Sequence, residues 1–533
     1  MDRPTEQFQT NPTRIPQRAA ERLPAARPAA GRSISRRAFL GTALSAGGAA
    51  ALATFPGQAL AARNAAQRHQ GRGVYPPAPR QVNGPPAPWS LGPGDPEVAQ
   101  FVVDEFLHAY DGYARYAYGQ DLFLPLSKTG QAFFVPGHSV GLSIIEALDT
   151  LYVMGLDDQL ADGVRWIHHN LDFDIDGDFH VFEAIIRLVG GLEAGYLATG
   201  DRYLLSQCVD IADRLLPAFT RSPSGMPYQY VNLHTGAVSG SQPPLAEVGT
   251  NILEFGVLSQ LTGDPKYFHL AKRAQRAAIR LRSKLGLLAT TIDVESGTFV
   301  DSTDQAPNPP VDSFYEYLWG GWAMFSDRED LRWFRETDRA MRRAELETYD
   351  GHVQYRQVDY LTGATVSRQV SELTAFWPEV LGHAGELGLA RAYYDTFTAA
   401  LDAYEVIPDE WDYSTGQVLG KSNEFRPEYP NAAFDLYLQT GDDHYARTAL
   451  QWLQNMKANA SVVDGYTIIT DVTTRPMTLG DLMPAYAFAE GFKYVFLIFS
   501  RTPRFDRRNF YLSTEGKILR GLLPVKVRRG QYP

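Results

Sequence analysis

The sequence predicts an all-α protein, a closed ring of seven helical hairpins with small β-hairpins at one mouth. A turn signal, in six cases with Gly or Asp, recurs seven times between long helical patterns. Two consecutive spacings are identical, with 63 residues from Asp201 to Asp264 and 63 from Asp264 to Asp327. A period near 60 residues fits two helices and their loops. Acidic residues also recur in apolar surroundings about once per repeat, as a central cavity requires.

Four of the seven turn signals combine a glycine that ends one helix with an aspartate that caps the next. The signals lie at 154–157, 199–203, 262–267, 325–327, 387–389, 440–445 and 499–503. Hairpins of this size cannot bury both faces alone, so they must stack or close into a ring. An open α-solenoid is the alternative to the ring, and the carboxylates in apolar segments favour closure.

Strand-like segments are few. Residues 351–355, together with 365–366, and residues 462–469 carry β-branched and aromatic side chains, which favour strands. We expect them to form hairpins at one mouth of the ring.

An export signal is predicted for residues 1–61. The segment is basic, with Arg36 and Arg37 before a short run rich in Ala and Gly, and residues 59–61 read Ala-Leu-Ala like a cleavage site. Paired arginines before such a run are typical of twin-arginine signals, which predicts an extracellular or periplasmic protein. A membrane anchor is the alternative, but the run is short for a span.

The remaining chain divides into three parts. Residues 62–95 are rich in Pro and Gly and predict a linker. Residues 96–517 carry the repeats and predict the barrel domain, and residues 518–533 predict a basic tail. No later segment reaches 18 uninterrupted apolar residues, so we expect no membrane span in the mature chain.

Composition excludes some functions. The formal net charge of −11 argues against a nucleic-acid partner, because polyanion binding needs a basic face. The single cysteine, Cys208, rules out an intramolecular disulfide. No zinc-ligand pattern and no G-x-S-x-G motif occurs, so neither a zinc enzyme nor a serine hydrolase is indicated.

The candidate functional residues are acids in apolar context. In Phe182-Glu183-Ala184-Ile185-Ile186-Arg187 the acid and the arginine are four residues apart, which places them on one helix face. A structural ion pair would explain them alone, but similar acids recur. They are Glu183, Glu247, Asp312, Glu316, Glu428, Glu490 and Glu515.

Carboxylates that converge on one axis make an acidic pocket. Such a pocket can hold a hard cation, a polyhydroxylated ligand, or both. Glycoside hydrolysis needs one protonated and one ionised carboxyl group, and crowded carboxylates push their pKa values apart. Calcium prefers oxygen ligands such as these.

The ordered set of motifs resembles the class I α-mannosidases, glycoside hydrolase family 47. The set comprises AYDGY at 109–113, ALDTLYVMGL at 147–156, FEAIIRLVGGL, LAEVGTNILEF, DSFYEYL, FRPE, GYTIITDVTT, AEGFKY and the terminal STEG, over about 420 residues. The family fold is an (αα)7 barrel, which agrees with the seven turn signals.

The resemblance implies a calcium-dependent, inverting hydrolase that removes α-1,2-linked mannose from mannose-rich oligosaccharides or glycoprotein glycans. By motif match, Glu183 is the expected general acid and Asp312 the second candidate for that role. Glu428 is the expected general base, which activates water on the far face of the sugar. We expect the protein to act as a monomer.

The resemblance also implies the binding residues. Thr514 is expected to bind Ca²⁺ through its hydroxyl and carbonyl, with the remaining ligands mostly waters held by Glu247, Glu490 and Glu515. Tyr486 is expected to stack under the sugar. The expected substrate-binding residues are Arg187, Glu247, Glu316, Arg426, Tyr486 and Glu490.

The chain departs from the family pattern at three further positions. Glu372 stands where many members have His, Asn431 replaces an acid three residues after FRPE, and Pro484 replaces another acid. The last two changes remove charge near the expected calcium and sugar sites. Another inverting glycosidase on an α/α toroid, such as a glucoamylase-like enzyme, and a non-catalytic mannose-binding protein of the same fold are the alternatives.

Overall fold

The computed structural model describes residues 94–524. The predicted export signal, residues 62–93 of the predicted linker and residues 525–533 of the predicted tail lie outside the described residues. Asp95 accepts hydrogen bonds from the N–H groups of Glu97 and Val98 and so caps the first helix.

Across the described residues, fourteen helical elements alternate between an outer and an inner layer. The outer helices are α1 (Pro96–Tyr116), α3 (Asp157–Asn170), α5 (Arg202–Thr220), α7 (Lys266–Ile279), α9 (Arg328–Ala344), α11 (Leu387–Tyr404) and α13 (Asp443–Ala460).

The inner elements are straight helices or composites of short helical stretches. They are α2 (Leu142–Met154), α4 (Val181–Glu183, Ala184–Val189 and Gly190–Thr199), α6 (Leu245–Gly249 and Ile252–Thr262), α8 (Asp312–Phe325), α10 (Glu372–Phe376 and Trp377–His383), α12 (Glu428–Thr440) and α14 (Ala485–Phe488 and Gly491–Phe499). Each inner element contacts the next, and α14 contacts α2. The ring is therefore closed, and the solenoid alternative is excluded.

Sequence composition decides the layer in which a helix lies. Every residue of α8 from Ser313 to Gly321 is buried, and a helix that is apolar on all sides belongs in a core. In the neighbouring α9, Trp333, Phe334 and Met341 face inward while charged residues cover the outer face. This alternation of apolar and amphipathic helices produces the double ring.

The turn signals lie where an inner helix passes into the following outer helix. Gly155, Gly200, Gly263 and Gly441 end inner helices in the left-handed conformation, which glycine adopts without strain. The Asp201 side chain accepts a hydrogen bond from the N–H of Tyr203 at 2.8 Å. Asp327 and Asp442 cap their helices in the same way, whereas no side chain caps the helices that start at Asp157 and Leu387. The turn signals mark one end of the ring.

Glycine also allows close packing between layers. A Cβ at Gly191 would lie 2.6 Å from Ile145 Cγ2, and one at Gly321 would meet the carboxylate of Asp330. The Gly-Gly pairs of the sequence therefore serve helix contacts.

Short antiparallel hairpins and three-stranded sheets connect the helices. The strands are β1 (Leu122–Leu124), β2 (Thr129–Gln131), β3 (Asp178–His180), β4 (Tyr230–Asn232), β5 (Val238–Ser239), β6 (Ile292–Asp293), β7 (Thr298–Phe299), β8 (Thr303–Asp304), β9 (Leu346–Tyr349), β10 (His352–Tyr355), β11 (Gln357–Asp359), β12 (Thr365–Ser367), β13 (Gln369–Ser371), β14 (Glu410–Asp412), β15 (Gln417–Gly420), β16 (Ser461–Val462), β17 (Gly465–Tyr466), β18 (Ile469–Asp471), β19 (Thr478–Leu479), β20 (Tyr511–Leu512) and β21 (Ile518–Arg520).

The expected partnership of residues 351–355 with 365–366 is wrong. Strand β10 pairs with β9, and β12 pairs with β11. Asp350 and Gly351, both at positive φ, turn the chain tightly between β9 and β10, so the nearer strand takes the pairing. Residues 461–466 form the hairpin β16–β17.

The fold extends past the boundary drawn at residue 517. Strand β21 pairs with β20, and Ile518 is buried. Arg520 Nη1 donates to the carbonyl of Ala323 in the last turn of α8 at 3.2 Å. The β20–β21 hairpin thus enters the ring from the end that carries the turn signals. Among residues 94–524, no helix combines the length and apolarity of a membrane span.

Candidate active site

The starts of the inner helical elements converge on one cavity of about 230 Å³. Asp312 and Glu428 are the first residues of α8 and α12, and Glu490 precedes the last stretch of α14. Helix N-termini carry partial positive charge, which favours carboxylates there. The acids therefore sit at the end of the ring opposite the turn signals.

The cavity brings together all the predicted site residues. Its lining includes Glu183, Arg187, Glu247, Asp312, Glu316, Arg426, Glu428, Tyr486, Glu490, Thr514 and Glu515. Sequence reasoning missed the apolar part of the lining, which includes Phe182, Pro244, Pro309, Pro310, Leu373 and Phe376. These residues are uncharged, so they do not stand out within an apolar segment of the sequence.

Arg187 links three carboxylates on one side of the cavity. Its Nε donates to Glu183 Oε2 at 2.6 Å, and its Nη1 donates to Glu515 and, at 3.4 Å, to Glu146 Oε1. The predicted i,i+4 pair forms, but Ala184–Val189 is π-helical rather than α-helical. Such π-helical turns are rare and often occur at functional sites. Glu183 is thus held in one orientation by its arginine.

Tyr486 lies between two guanidinium groups. The Arg187 Cζ is 5.4 Å and the Arg426 Cζ is 5.8 Å from the ring centroid. The Tyr486 hydroxyl donates to the carbonyl of Glu424 at 2.6 Å. The ring is fixed by these contacts and offers the cavity an aromatic surface.

Asp312 and Glu428 are half-buried acids whose pKa values are raised. Burial raises the pKa of Asp312 to about 6, against the opposing effect of the Ser313 N–H. Burial also raises the pKa of Glu428 to about 7, and the positive charge of Arg426 opposes that rise. Acids with pKa values near neutrality can exchange protons at neutral pH, as acid–base catalysis requires.

Glu247 is held at the cavity by two neighbours. His180 Nε2 lies 3.2 Å from Glu247 Oε1, and Gln229 Nε2 donates to Glu247 Oε2 at 3.2 Å. Both partners come from the β3–β4–β5 sheet or the segment that joins it. A β-sheet of the mouth therefore positions this carboxylate.

Thr514 lies at the tip of the β20–β21 hairpin. Its side chain opposes the rise in the pKa of Glu316, and its N–H donates to the Tyr317 hydroxyl at 3.4 Å. Tyr317 in turn donates to Glu254 Oε1 at 2.7 Å. The hairpin therefore brings a threonine into the ring as the floor of the cavity.

Buried ion pairs below this floor were not predicted. Lys517 pairs with Glu146, and Lys493 Nζ lies 2.8 Å from Asp149 Oδ2. All four side chains are almost fully buried. Glu146 and Asp149 are also acids in an apolar helix, so the signal that found the other acids was present for them.

The floor fits a hard cation. Burial raises the pKa of Glu316 and of Glu515 to about 8 each, and nearby acids add to the rise. Glu316 Oε2 and Glu428 Oε2 are buried without a hydrogen-bond partner in the described structure. A divalent cation with oxygen ligands would satisfy such atoms and lower these pKa values.

A second group of metal-capable side chains was missed. The ligand atoms of Glu379, His383 and Asp435 lie within 4.8 Å of one another. His383 Nε2 lies 2.9 Å from Asp435 Oδ1. Thr514, the expected metal ligand, is not part of this group.

Two of the three departures lie at or beside the cavity. Asn431 lines it, and its side chain opposes the rise in the pKa of Glu379. Glu372 is fully buried and accepts a hydrogen bond from Asn423 Nδ2 at 2.7 Å. Pro484 precedes the turn that carries Tyr486 and is not among the lining residues.

The profile of the family described as glycosyl hydrolase family 47 matches residues 105–521. The chain belongs to this family. It is therefore a glycoside hydrolase, as its resemblance implied.

This family 47 hydrolase is similar to characterised plant and animal proteins. It is 33% identical to α-mannosidase I MNS4 of Arabidopsis thaliana over 450 residues, which cover 80% of this chain and 70% of that protein. It is 31% identical to the human ER degradation-enhancing α-mannosidase-like protein 2 over 440 residues, which cover 79% and 74%.

A solved structure shares the fold. The α-1,2-mannosidase from Trichoderma reesei superposes with a TM-score of 0.73 at 24% identity, covering 80% of this chain and 99% of that one. The (αα)7 barrel architecture of the hydrolase is thereby confirmed.

Proposed function

We propose that this hydrolase is a calcium-dependent, inverting exo-α-mannosidase that removes α-1,2-linked mannose from mannose-rich glycans. The observation that carries the proposal is the convergence of Glu183, Asp312, Glu428 and Thr514 on one cavity. Family membership and the similarity to α-1,2-mannosidases support the substrate. The alternative functions, another inverting glycosidase on an α/α toroid or a non-catalytic mannose-binding protein, have no comparable support.

The acid side of the reaction falls to Glu183, with Asp312 as the second candidate. The acid donates its proton to the glycosidic oxygen while the bond from that oxygen to the anomeric carbon breaks. Arg187, at 2.6 Å from Glu183, orients the carboxyl group. The pKa of Asp312, raised by burial to about 6, suits a group that relays a proton through water.

The base side falls to Glu428. In its ionised form it takes a proton from a water molecule, whose oxygen attacks the anomeric carbon from the face opposite the leaving group. The product is then the β-anomer. This geometry requires about 6.5–9.5 Å between the acid and base carboxyls to admit the water. Arg426, which lowers the pKa of Glu428, favours the ionised form.

Thr514 and the carboxylates around it would hold the calcium ion. When bound, the ion supplies positive charge and coordination positions for water and for sugar hydroxyls. Glu316, Glu490 and Glu515 orient the bound waters, and Tyr486 contacts the apolar face of the ring. The cavity volume of about 230 Å³ is below the roughly 300–1,000 Å³ of pockets for drug-sized ligands, which suits one terminal sugar.

The proposal includes export by the twin-arginine signal to an extracellular or periplasmic location, where the monomer meets its glycan. Fusion of residues 1–61 to a reporter that is active only after export tests this part. We expect the native fusion to be exported. We expect the fusion in which Arg36 and Arg37 are both changed to Lys to stay inside the cell.

One digest tests the reaction. Purified protein is incubated with α-1,2-, α-1,3- and α-1,6-linked mannobiose, with Ca²⁺ or with a chelator, and the fresh product is followed by NMR. We expect cleavage of the α-1,2 compound alone, only with Ca²⁺, and β-mannose as the first product. The Glu428→Gln variant should lose activity. Release of α-mannose would exclude inversion, and cleavage of none of the three would exclude the proposed activity.

A further inference from the structure

The outer helix α9 carries a row of arginines that the proposed reaction does not use. Arg328, Arg332, Arg335, Arg339 and Arg343 are exposed and recur at intervals of three or four residues, so they lie along one helix face. From Arg328 to Arg343 the row is about 22 Å long at about 1.5 Å per residue.

Of this row, Arg332 pairs with Glu329 at 3.7 Å, and the other four arginines have no ion pair among the described residues. Within residues 94–524, Glu329 pairs with Arg276 at 2.7 Å and Glu336 with Arg282 at 2.6 Å. These acids are therefore already engaged. We call six cations the arginine stripe: Arg328, Arg335, Arg339 and Arg343 of α9, with Arg280 and Lys284 after α7. None of them has an ion pair within 4.0 Å in the described structure.

The stripe lines a groove. One hollow lies between the end of α7 and α9 and includes Arg280, Lys284 and Arg343. A second hollow includes Arg328 and Arg335. Both are lined by Glu336 and Arg339, so the two hollows adjoin each other along α9. Six like charges along one groove repel each other, and an extended polyanion would relieve that repulsion.

The groove also has an aromatic surface and a direction. Trp322, half-buried at the end of α8, lines the second hollow. Because α8 starts at the cavity and α9 runs back beside it, Arg343 lies at the cavity end of the ring and Arg328 at the opposite end. A polymer held along the stripe is thereby led towards the mouth of the cavity.

We propose that the arginine stripe binds an anionic polysaccharide, a glycan that carries phosphate or carboxylate groups, and so anchors the enzyme on its polymer. Guanidinium groups bind both kinds of anion in a bidentate manner. The net charge of −11 disfavours a nucleic acid, which contacts a wide basic face. The choice of a glycan rests on the proposed function, whereas the charge of the ligand does not.

Equilibrium binding to a phosphodiester-bearing mannan and to a neutral mannan of similar length tests the proposal. The test variant combines Arg335→Gln, Arg339→Gln and Arg343→Gln. The control variant combines Arg202→Gln, Arg391→Gln and Arg447→Gln, three exposed arginines on other outer helices.

We expect the native protein to bind the charged mannan at least tenfold more tightly than the neutral one. The test variant should lose that preference, and the control should keep it. The slope of log affinity against log salt concentration should be smaller by about two in the test variant, because three contacts are lost. Hydrolysis of neutral α-1,2-mannobiose should be unchanged in both variants.

Equal binding of charged and neutral mannan by the native protein would overturn the proposal, as would a test variant that binds like the control. A DNA duplex or phosphatidylserine vesicles that bind as tightly as the charged mannan, with the same loss in the test variant, would overturn the assignment to a glycan. Failure of mannobiose hydrolysis alone would refute the proposed function and leave the binding comparison intact.

Discussion

Replacing the proposed base should make the protein less active but more stable. Glu428→Gln keeps the shape of the side chain and removes its charge. Loss of a general base typically lowers kcat by about 10²–10⁴-fold. The side chain is half-buried, and one of its carboxyl oxygens is buried without a hydrogen-bond partner in the described structure. Its ionisation therefore destabilises the folded protein whenever no cation is bound nearby.

The magnitude follows from the pKa. Burial raises the pKa of Glu428 from 4.5 to about 7, which corresponds to about 3 kcal/mol at about 1.4 kcal/mol per pH unit. Since the unfolded chain ionises first, the native protein loses this stability as pH rises from about 4.5 through about 7. For about 430 folded residues, an unfolding entropy of about 0.9 kcal/mol/K converts the loss to roughly 3 °C in Tm.

Thermal unfolding of both proteins in chelator, at pH 4.5 and at pH 8, measures the effect. The Tm of Glu428→Gln should match that of the native protein at pH 4.5 and exceed it by about 3 °C at pH 8. Glu424→Gln, in the same segment but with a 44% exposed side chain, should change Tm little at either pH. If the Tm of the Glu428→Gln variant exceeded that of the native protein by the same amount at both pH values, the reasoning would be refuted.

Three further outcomes are expected. Chelation should abolish activity and lower Tm together, and Ca²⁺ should restore both, since a ligand of the folded state alone stabilises it; full activity after exhaustive chelation would contradict the calcium assignment. Lys517→Met should lower the free energy of unfolding by about 3–5 kcal/mol because Glu146 loses its buried partner, and urea unfolding that matches the native protein would argue against this. Tyr486→Ala should raise KM for mannobiose about tenfold or more while Tyr486→Phe changes it little, and equal KM values would remove the stacking role.

The ring could be predicted from the sequence because its turn signals are local. A glycine C-cap and an aspartate N-cap occupy a few consecutive residues, as at Gly200 and Asp201. Carboxylates within apolar helical segments can also be recognised in the sequence, and the ones singled out there line the cavity. Their position near the starts of inner helices explains why such acids recur along the chain.

Other features depend on partners that are distant in sequence. Lys517 and Glu146 are 371 residues apart, so no spacing rule connects them. The π-helical turn of Arg187 has the same apolar pattern as an α-helix. The pairing of β9 with β10 depends on a tight turn at Asp350 and Gly351, which β-propensity alone does not reveal.

Closure of the ring has a consequence for synthesis and folding. The Asp95 N–H donates to the carbonyl of Phe499 at 2.9 Å, and Thr514 reaches the cavity only from the last hairpin. Contacts of such long sequence separation form slowly because a long loop must close first. The nascent chain can build hairpin after hairpin, but it gains a cavity floor only when residue 518 has left the ribosome. A chain released before that point would be a row of helical hairpins without a catalytic centre.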